Sequence, residues 1–380
     1  MDRETPRPVP LGRLAALDLG RGLIMLLMAL DHANSMAGLG TQRGGEFWGG
    51  QFPDYASLPA FLTRAVSHMC APGFALLMGA GMALLAGRTR GTDGNTVGVV
   101  GRFALRGALL IALQFTLENW AWRLGAEFPY GGGIYVGVLA MLGACMLLTG
   151  PLARMNAGAL LTLALAAMGL GWLLLSPFAD WGEPVPLWLR LLAVPGRDNG
   201  IIVLYPLLPW LGIVLAGMAM GRALQRDAEA VLGRLPWIGL GLLLLFALMR
   251  VWGGVPANLR PLPDDHLWSF LYAVKYPPSM AFLCLTLGEF LLVLGLLHRV
   301  SARAGHTSLR LLQAVGRSAL PFYVLHLWLY ALLGWVVAPG VSLAGVYLVW
   351  LAGLAPLLPA CLAWSRFRAS RPGGSAWRLL

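Results

Sequence analysis

Long apolar runs, separated by short polar segments, recur from one end of the chain to the other. Runs of roughly 18 residues or more can cross a hydrocarbon layer of ~30 Å as helices. The pattern predicts ten membrane-spanning helices, at Leu14–Met36, Val66–Ala86, Val99–Leu117, Ile134–Leu148, Ala157–Leu175, Ile201–Gly221, Leu235–Val251, Ser279–Leu297, Ser318–Val337 and Val341–Trp364. We therefore expect an all-α fold, a polytopic transmembrane helix bundle.

The connecting segments are short. The longest run to about 30 residues, which is too few for an independent hydrophobic core. The last two predicted spans are separated only by the turn Ala338–Val341. The chain is thus predicted to be one integral-membrane domain over residues 1–380.

Basic residues predict the orientation of the bundle. With the N-terminus inside, the predicted inner segments hold 19 of the 28 Lys and Arg residues, the outer segments hold 8, and Arg21 lies within the first span. Cytoplasmic loops carry such an excess of Lys and Arg. Both termini are therefore expected in the cytoplasm, with the loops Ala37–Ala65 and Trp252–Lys275 on the outer side.

Composition supports this prediction and excludes other classes. Charged residues make up 12% of the chain and hydrophobic residues 58%, whereas a soluble domain has about 25% charged residues. The net charge of +11 suits loops that attract anionic membrane lipid. No zinc spacing or RNA-recognition motif points to nucleic acid. The four cysteines have no CxxC spacing, so neither a disulfide framework nor a metal site is expected.

The first predicted span carries four ionisable residues. Arg21 and His32 are eleven residues apart, nearly three helical turns, so they share one face about 16 Å apart along the axis. Asp18 lies three residues before Arg21 and can pair with it, whereas Asp31 points elsewhere. We name Asp18, Arg21 and His32 the first-helix stripe. Charges at membrane depth are costly and mostly face a partner or a cavity.

Two interpretations of the stripe remain open. In the structural one, the Asp18–Arg21 pair fixes helix packing and His32 lies at the membrane interface. In the functional one, the stripe is a polar path that ends at a histidine suited to general base catalysis.

Further candidate residues lie on the predicted outer side or near mid-membrane. His68 opens the second span, and Glu118 closes the third. Lys275 and Tyr276 precede two prolines that suit a helix start. In the ninth span, Tyr323 and His326 share a face, where His326 is as consistent with a buried packing role as with a functional one.

Five stretches of the chain, taken together, resemble a known protein family. They are "RLAALDLGRGLIMLLMALDH" (Arg13–His32), "SHMCAPGFALLMG" (Ser67–Gly79), "YPLLPWLGIVLAGMAMG" (Tyr205–Gly221), "KYPPSMAFLCLTLG" (Lys275–Gly288) and "LPFYVLHLWLY" (Leu320–Tyr330). In this order they resemble bacterial proteins related to the catalytic domain of heparan-α-glucosaminide N-acetyltransferase. The Arg21-to-His32 spacing is also similar to the arginine, ten residues, histidine pattern of membrane-bound acyltransferase-three proteins.

The resemblance implies a multi-pass enzyme of the bacterial inner membrane. Such an enzyme takes an acetyl or other acyl group from cytoplasmic acyl-CoA and delivers it to a hydroxyl or amine of an acceptor outside, a sugar or glycan. No metal is implied. The lysosomal relative's proposed catalytic histidine lies in the loop after the first span, and this chain has no histidine between Ala37 and Ser67. His32 and His68 are therefore the catalytic candidates by position and chemistry.

The remaining candidates are expected to bind donor or acceptor: Asp18, Arg21, Asp31, Glu118, Lys275, Tyr276, Tyr323 and His326. Four cytoplasmic arginines could hold the CoA phosphates, although for any one of them the role of an ordinary residue in a positive-inside loop is favoured. They are Arg88, Arg90, Arg102 and Arg106.

Two other functions fit the same pattern. A small-molecule or lipid transporter also has buried charges and spans broken by Pro and Gly, although the two halves show no matching pair of interrupted segments. A non-catalytic helper subunit could have kept the fold. The sequence leaves open the acceptor, the acyl chain, the pathway and the oligomeric state, a homo-oligomer included.

Overall fold

The structure is a computed structural model that describes residues 15–39, 42–43, 45–48, 53–88, 96–125, 133–176, 184–252, 257–260, 267–301, 307–338, 340–372, 375 and 377. Its helices are α1 (Ala15–Ala37), α2 (Leu58–Ala65), α3 (Cys70–Arg88), α4 (Thr96–Leu113), α5 (Asn119–Gly125), α6 (Val138–Thr149), α7 (Ala157–Leu175), α8 (Leu187–Leu192), α9 (Leu207–Arg226), α10 (Ala228–Trp252), α11 (Met280–Ser301), α12 (Thr307–Arg317), α13 (Ala319–Val336) and α14 (Leu343–Ala369). Short 3₁₀ turns occur at Gly150–Arg154 and Leu267–Leu271. Leu14 and Arg90, which entered the sequence predictions, lie outside the described residues.

The predicted helical membrane bundle is confirmed. Within the described ranges, eight helical segments are long and apolar enough to cross a membrane: 58–88, 98–125, 157–175, 207–226, 228–252, 280–301, 319–336 and 343–369. Two predicted spans are not among them. The first forms the charged helix α1, and the fourth forms the short apolar helix α6. The count of ten spans and the cytoplasmic termini stay predictions.

Helix α1 lies at the centre of the bundle. It packs against α3, α11, α12, α13 and α14. Its residues Ile24 and Met25 belong to two separate apolar clusters. Polar side chains on α1 are therefore surrounded by protein from several directions, as expected for ionisable groups at membrane depth.

Glycines allow the amphipathic helix α12 to lie directly on the first half of α1. A Cβ at Gly22 would collide with the backbone oxygen of Leu312, and one at Gly316 would collide with that of Asp18. Small residues at such contacts let two helix backbones approach closely. The close approach fixes where the inner part of the stripe meets its neighbours.

Two predicted spans begin too early. Ile134–Val136 and Ile201–Val203 were expected in helices, but they are the strands β3 and β5, paired in parallel. Their β-branched side chains favour strands, and Pro206 separates the second run from α9, which starts at Leu207. The strand β4 (Gly196–Asp198) completes this sheet.

Two irregular segments lie near the candidate residues. The second predicted span opens in a turn over residues 66–69, which contains His68, so the helix α3 starts only at Cys70. The third continues through a π-helical turn, Gln114–Glu118, into α5. Such π-turns within helices occur often at functional sites. A two-residue antiparallel pair, β1 (Gln42–Arg43) with β2 (Asp54–Tyr55), forms in the loop after α1.

Candidate active site

The inner end of the first-helix stripe is an ionic cluster. Arg21 Nη1 donates to Asp18 Oδ1 at 3.3 Å and to the carbonyl oxygen of Gly316 at 3.2 Å. Arg317 Nε donates to Asp18 Oδ2 at 2.8 Å. The predicted Asp18–Arg21 pair is thus confirmed, and it also ties α1 to the end of α12.

More arginines gather at the same end. The guanidinium of Arg106 interacts electrostatically with those of Arg21, Arg102 and Arg368. Arg368 also donates to the carbonyl oxygen of Arg317 at 2.8 Å. We call this region the basic end of the bundle, defined by Arg21, Arg102, Arg106, Arg317 and Arg368.

His32 stands at the other end of the stripe, paired with a second histidine. Its Nδ1 lies 2.8 Å from Nε2 of His326. His326 Nδ1 lies 2.9 Å from the backbone oxygen of Phe322. A carbonyl oxygen only accepts, so His326 must carry its proton on Nδ1, and in the neutral imidazole its Nε2 must accept. The donor to that Nε2 is therefore His32 Nδ1–H.

This chain of hydrogen bonds fixes the tautomer of His32. With the proton on Nδ1, its Nε2 keeps a lone pair. That atom has no hydrogen-bond partner among the described residues, and the His32 side chain is not fully buried. His32 therefore presents an unoccupied basic nitrogen.

Two aromatic side chains pack against the His32 ring, and one acid contacts both of them. The rings of Trp122 and Tyr323 meet His32 edge-on, with centroids at 5.2 Å and 6.4 Å. Glu118, in the π-turn, contacts Tyr323 and Trp122. Its Oε2 is buried and has no hydrogen-bond partner in the described part of the chain. The predicted residues Glu118, Tyr323 and His326 thus gather around His32.

Asp31 belongs to a second group, centred on Arg64. Arg64 Nη1 donates to Asp31 Oδ1 at 2.6 Å, and Ser67 Oγ donates to the same oxygen at 2.9 Å. Arg64 also donates from Nε to Glu46 Oε1 and from Nη2 to Glu46 Oε2, both at 2.8 Å. We call Asp31, Arg64 and Glu46 the ionic network.

Glu46 connects the ionic network to the second candidate histidine. Its Oε1 accepts from the Tyr55 hydroxyl at 3.0 Å and lies 3.2 Å from His68 Nε2. Burial by itself raises the pKa of this carboxyl, but the Arg64 guanidinium and the hydrogen bonds from Arg64 and His68 outweigh burial and hold the pKa well below its usual range. Glu46 is therefore an ionised, fully engaged carboxylate that orients His68.

Sequence reasoning did not find Glu46 or Arg64. Glu46 lies in the loop after α1 and Arg64 in the short helix α2, and both precede the second predicted span. The predicted outer loop also holds Arg43 and Asp54, so the opposite charges of Glu46 and Arg64, 18 residues apart, did not stand out.

Lys275 and Tyr276 lie against the same loop. Their backbone N–H groups both donate to the carbonyl oxygen of Glu46, at 2.9 Å and 3.1 Å, and Trp48 N–H donates to the carbonyl oxygen of Tyr276 at 3.1 Å. The Tyr276 hydroxyl lies 3.4 Å from that of Tyr205. These contacts join the start of α11 to the ionic network.

A pocket borders the network on the side away from the basic end. His68 and Glu46 contribute to its wall, together with aromatic and polar side chains. Its other lining residues are Phe47, Pro53, Tyr55, Phe61, Asn258, Arg260, Leu271, Tyr272, Ala273 and Val274. Of the predicted site residues, only His68 lines it.

The structure therefore brings the predicted residues together in two adjoining groups. Asp31 and His32 are neighbours on α1 and belong one to each group. Asp18 and Arg21 lie at the far end of the stripe. No group of three or more His, Cys, Asp or Glu side chains that could hold a metal ion occurs among the residues described.

A comparison of the chain with models of protein families finds a match. Residues 13–247 match the model of the family described as heparan-alpha-glucosaminide N-acetyltransferase, catalytic. The chain belongs to this family. The heparan-alpha-glucosaminide N-acetyltransferase match covers the stripe, the ionic network and His68, whereas Lys275, Tyr323 and His326 lie beyond it. Comparison with curated proteins finds no match. The family and the apolar helices together indicate a multi-pass membrane acetyltransferase.

Proposed function

We propose that the protein transfers an acetyl or other acyl group from acyl-CoA, bound at the basic end, to a hydroxyl or amine of a sugar acceptor on the opposite side of the membrane. The observation that carries this proposal is the free Nε2 of His32. It is a basic nitrogen of fixed tautomer, about 16 Å along α1 from the basic end.

His32 is the general base in this reaction. As the acceptor oxygen or nitrogen attacks the thioester carbonyl carbon, His32 Nε2 takes its proton. The tetrahedral intermediate then collapses, the carbon–sulfur bond breaks, and the departing thiolate receives the proton from His32. Free CoA thiol and an ester or amide of the acceptor result. His326 holds the His32 ring in the required orientation.

The donor would lie along the first-helix stripe. Its phosphates suit the basic end, since guanidinium groups bind phosphate oxygens in charge-assisted pairs. Arg106 is the best placed of these arginines, because the charges that act on it most strongly are three other guanidiniums. Arg21 already donates to Asp18 and to the Gly316 oxygen. Its role would be to shape the path of the donor rather than to bind its phosphates.

The acceptor would approach through the opening of the pocket beside His68, because the enclosed volume of about 20 Å³ holds little more than one water. Tyr55, Phe61 and Tyr272 form an aromatic cluster there, and apolar walls with a few polar groups are typical of small-molecule sites. With Nε2–H directed at Glu46, the His68 imidazole keeps Nδ1 as an acceptor for a substrate hydroxyl. His68 thereby orients the acceptor toward the thioester.

Release of CoA thiol tests this proposal. Purified protein should release thiol from acetyl-CoA when an amino sugar such as glucosamine, or another hydroxyl or amine sugar, is supplied. His32→Ala should lower the rate by at least about 100-fold, the contribution of a general base. The matched control is His298→Ala, because His298 pairs with Glu229 at the other end of α11 and should not affect turnover. Unchanged turnover in both His32→Ala and His68→Ala would rule out these assignments.

A further inference from the structure

Lys275 is the only lysine in the chain; the other 27 of its 28 basic residues are arginines. Lysine differs from arginine in carrying a compact point charge on a flexible stem. In a chain that uses arginine at every other basic position, the charge of this one lysine side chain acts electrostatically on both candidate histidines. This placement calls for a chemical explanation.

The backbone of Lys275 is held firmly and its side chain is buried. Its N–H donates to the Glu46 carbonyl oxygen at 2.9 Å. The side chain is 5% exposed, and the ammonium lies 5.2 Å from the centroid of the Tyr276 ring. Its charge interacts electrostatically with Asp31, His32 and His68.

The nearby carboxylates are already occupied by other donors. Asp31 is bound by Arg64 and Ser67, and Glu46 is bound by Arg64 and Tyr55 as well. Within the described ranges, the Lys275 ammonium forms no hydrogen bond and no ion pair beyond the ring contact. Buried charges of this kind are costly unless paired, so the group fits a ligand oxygen that carries negative charge.

An acyl transfer produces such an oxygen at this place. When the acceptor attacks the thioester, negative charge develops on the carbonyl oxygen close to the base that takes the proton. Cations and donors directed at this oxygen usually supply the largest single part of the catalysis. We propose that the Lys275 ammonium stabilises this oxyanion, an inference that rests on the proposed function.

Lys275 takes no part in the proton transfer of the proposed reaction. The electron pair that moves onto the carbonyl oxygen returns when the carbon–sulfur bond breaks, and His32 handles the transferred proton. A nucleophilic role is excluded by chemistry, because acylation of the ε-amine would give a stable amide and stop turnover. The charge of Lys275 therefore acts on the intermediate without covalent change.

Steady-state kinetics of Lys275→Met test the inference. This variant keeps the length of the side chain and removes its charge. We expect kcat to fall by about 100- to 1,000-fold, the effect of losing one oxyanion donor, while KM for the acceptor and the Kd for acetyl-CoA change less than about threefold. In Lys275→Ala, methylammonium or ethylammonium in the buffer should restore part of kcat, which a purely structural role would not allow.

The control is Arg123→Met. Arg123 lies over the Trp120 ring at 5.5 Å on an exposed part of α5, so its loss should leave kcat unchanged. Size-exclusion profiles and thermal unfolding show whether the Lys275 variants fold. A folded Lys275→Met protein with normal kcat would overturn the inference. So would a rise in the acceptor KM alone, which would make Lys275 an acceptor-binding residue. Absence of thiol release by the wild-type protein would refute the proposed function instead.

Discussion

Behind His32 stands a second imidazole, His326, whose own partner is the carbonyl oxygen of Phe322 rather than a carboxylate. A carboxylate would stabilise the charged imidazolium, whereas neutral His326 only fixes which nitrogen carries the proton. His32 is therefore a weaker base than a histidine backed by a carboxylate. Asp31, the preceding residue on α1, supplies negative charge nearby without touching the ring.

Replacement of His326 separates orientation from packing. Gln at this position can still accept from His32 Nδ1–H, whereas Leu cannot. We expect His326→Leu to lower kcat at least about tenfold through loss of the tautomer, with acetyl-CoA binding unchanged, and His326→Gln to keep most of the activity. Thiol release and calorimetric acetyl-CoA titration measure the two quantities. Equal losses of kcat in the two variants would show that His326 acts only by filling space.

Much of the candidate site followed from helical spacing. The periodicity of α1 placed Asp18 and Arg21 on the side of His32 and separated Asp31 from them, and the structure has these positions. Glu46 and Arg64 could not be predicted, since their contacts join a loop to a short helix and no local pattern encodes such a pairing. The roles of all these residues stay predictions.

At the scale of elements, the sequence predicted that the long helices exist more accurately than it predicted the residues at which they begin. Ile134–Val136 and Ile201–Val203 are short apolar runs, which periodicity alone does not assign to strand or helix. They pair across 67 residues of chain, as in Ile134 with Ile201. Such pairing depends on tertiary contacts, which the local sequence does not encode. The π-turn before α5 likewise has no sequence signal, although it contains Glu118, which contacts Trp122 and Tyr323.

The contact between α1 and α12 makes a prediction at this scale. Leu in place of Gly22 would overlap the Leu312 backbone and push α12 away, so Arg21 would lose its bond to the Gly316 oxygen. Overpacking of this kind costs about 1–3 kcal/mol. We expect Gly22→Leu to lower both the unfolding temperature and the rate of thiol release.

Gly81→Leu on α3 is the matched control, because a Cβ there meets no described atom within 4 Å. It should leave both measurements unchanged, or slightly raise stability because leucine favours helix more than glycine does. If Gly22→Leu behaves like this control in thermal unfolding, the close contact does not limit stability.

At the scale of the whole molecule, the two ends of α1 differ in chemistry. The basic end suits an anionic donor, and the ionic network with its pocket suits a neutral or weakly charged acceptor. The excess of arginines on the predicted inner segments gives this difference a direction across the membrane. Donor and acceptor should therefore meet at His32 from opposite sides.

Proteoliposomes with protein in one known orientation test that direction. Acetyl-CoA does not cross the bilayer, so it can be confined to the side that the basic end faces, with the sugar acceptor on the other side. We expect acetylated acceptor to accumulate on the acceptor's side, and no product when acetyl-CoA is supplied only on that same side. Protein with His32→Ala in the same vesicles is the control for leakage.

The same vesicles distinguish the enzyme from a transporter that uses the same polar path. A transporter would move unmodified sugar or lipid without any acyl donor, whereas a transferase leaves the acceptor where it is and changes its mass. Product on the acceptor's side with no acceptor flux would support transfer through the stripe. Flux of unmodified acceptor without acetyl-CoA, unaffected by His32→Ala, would instead assign the buried charges of α1 to transport.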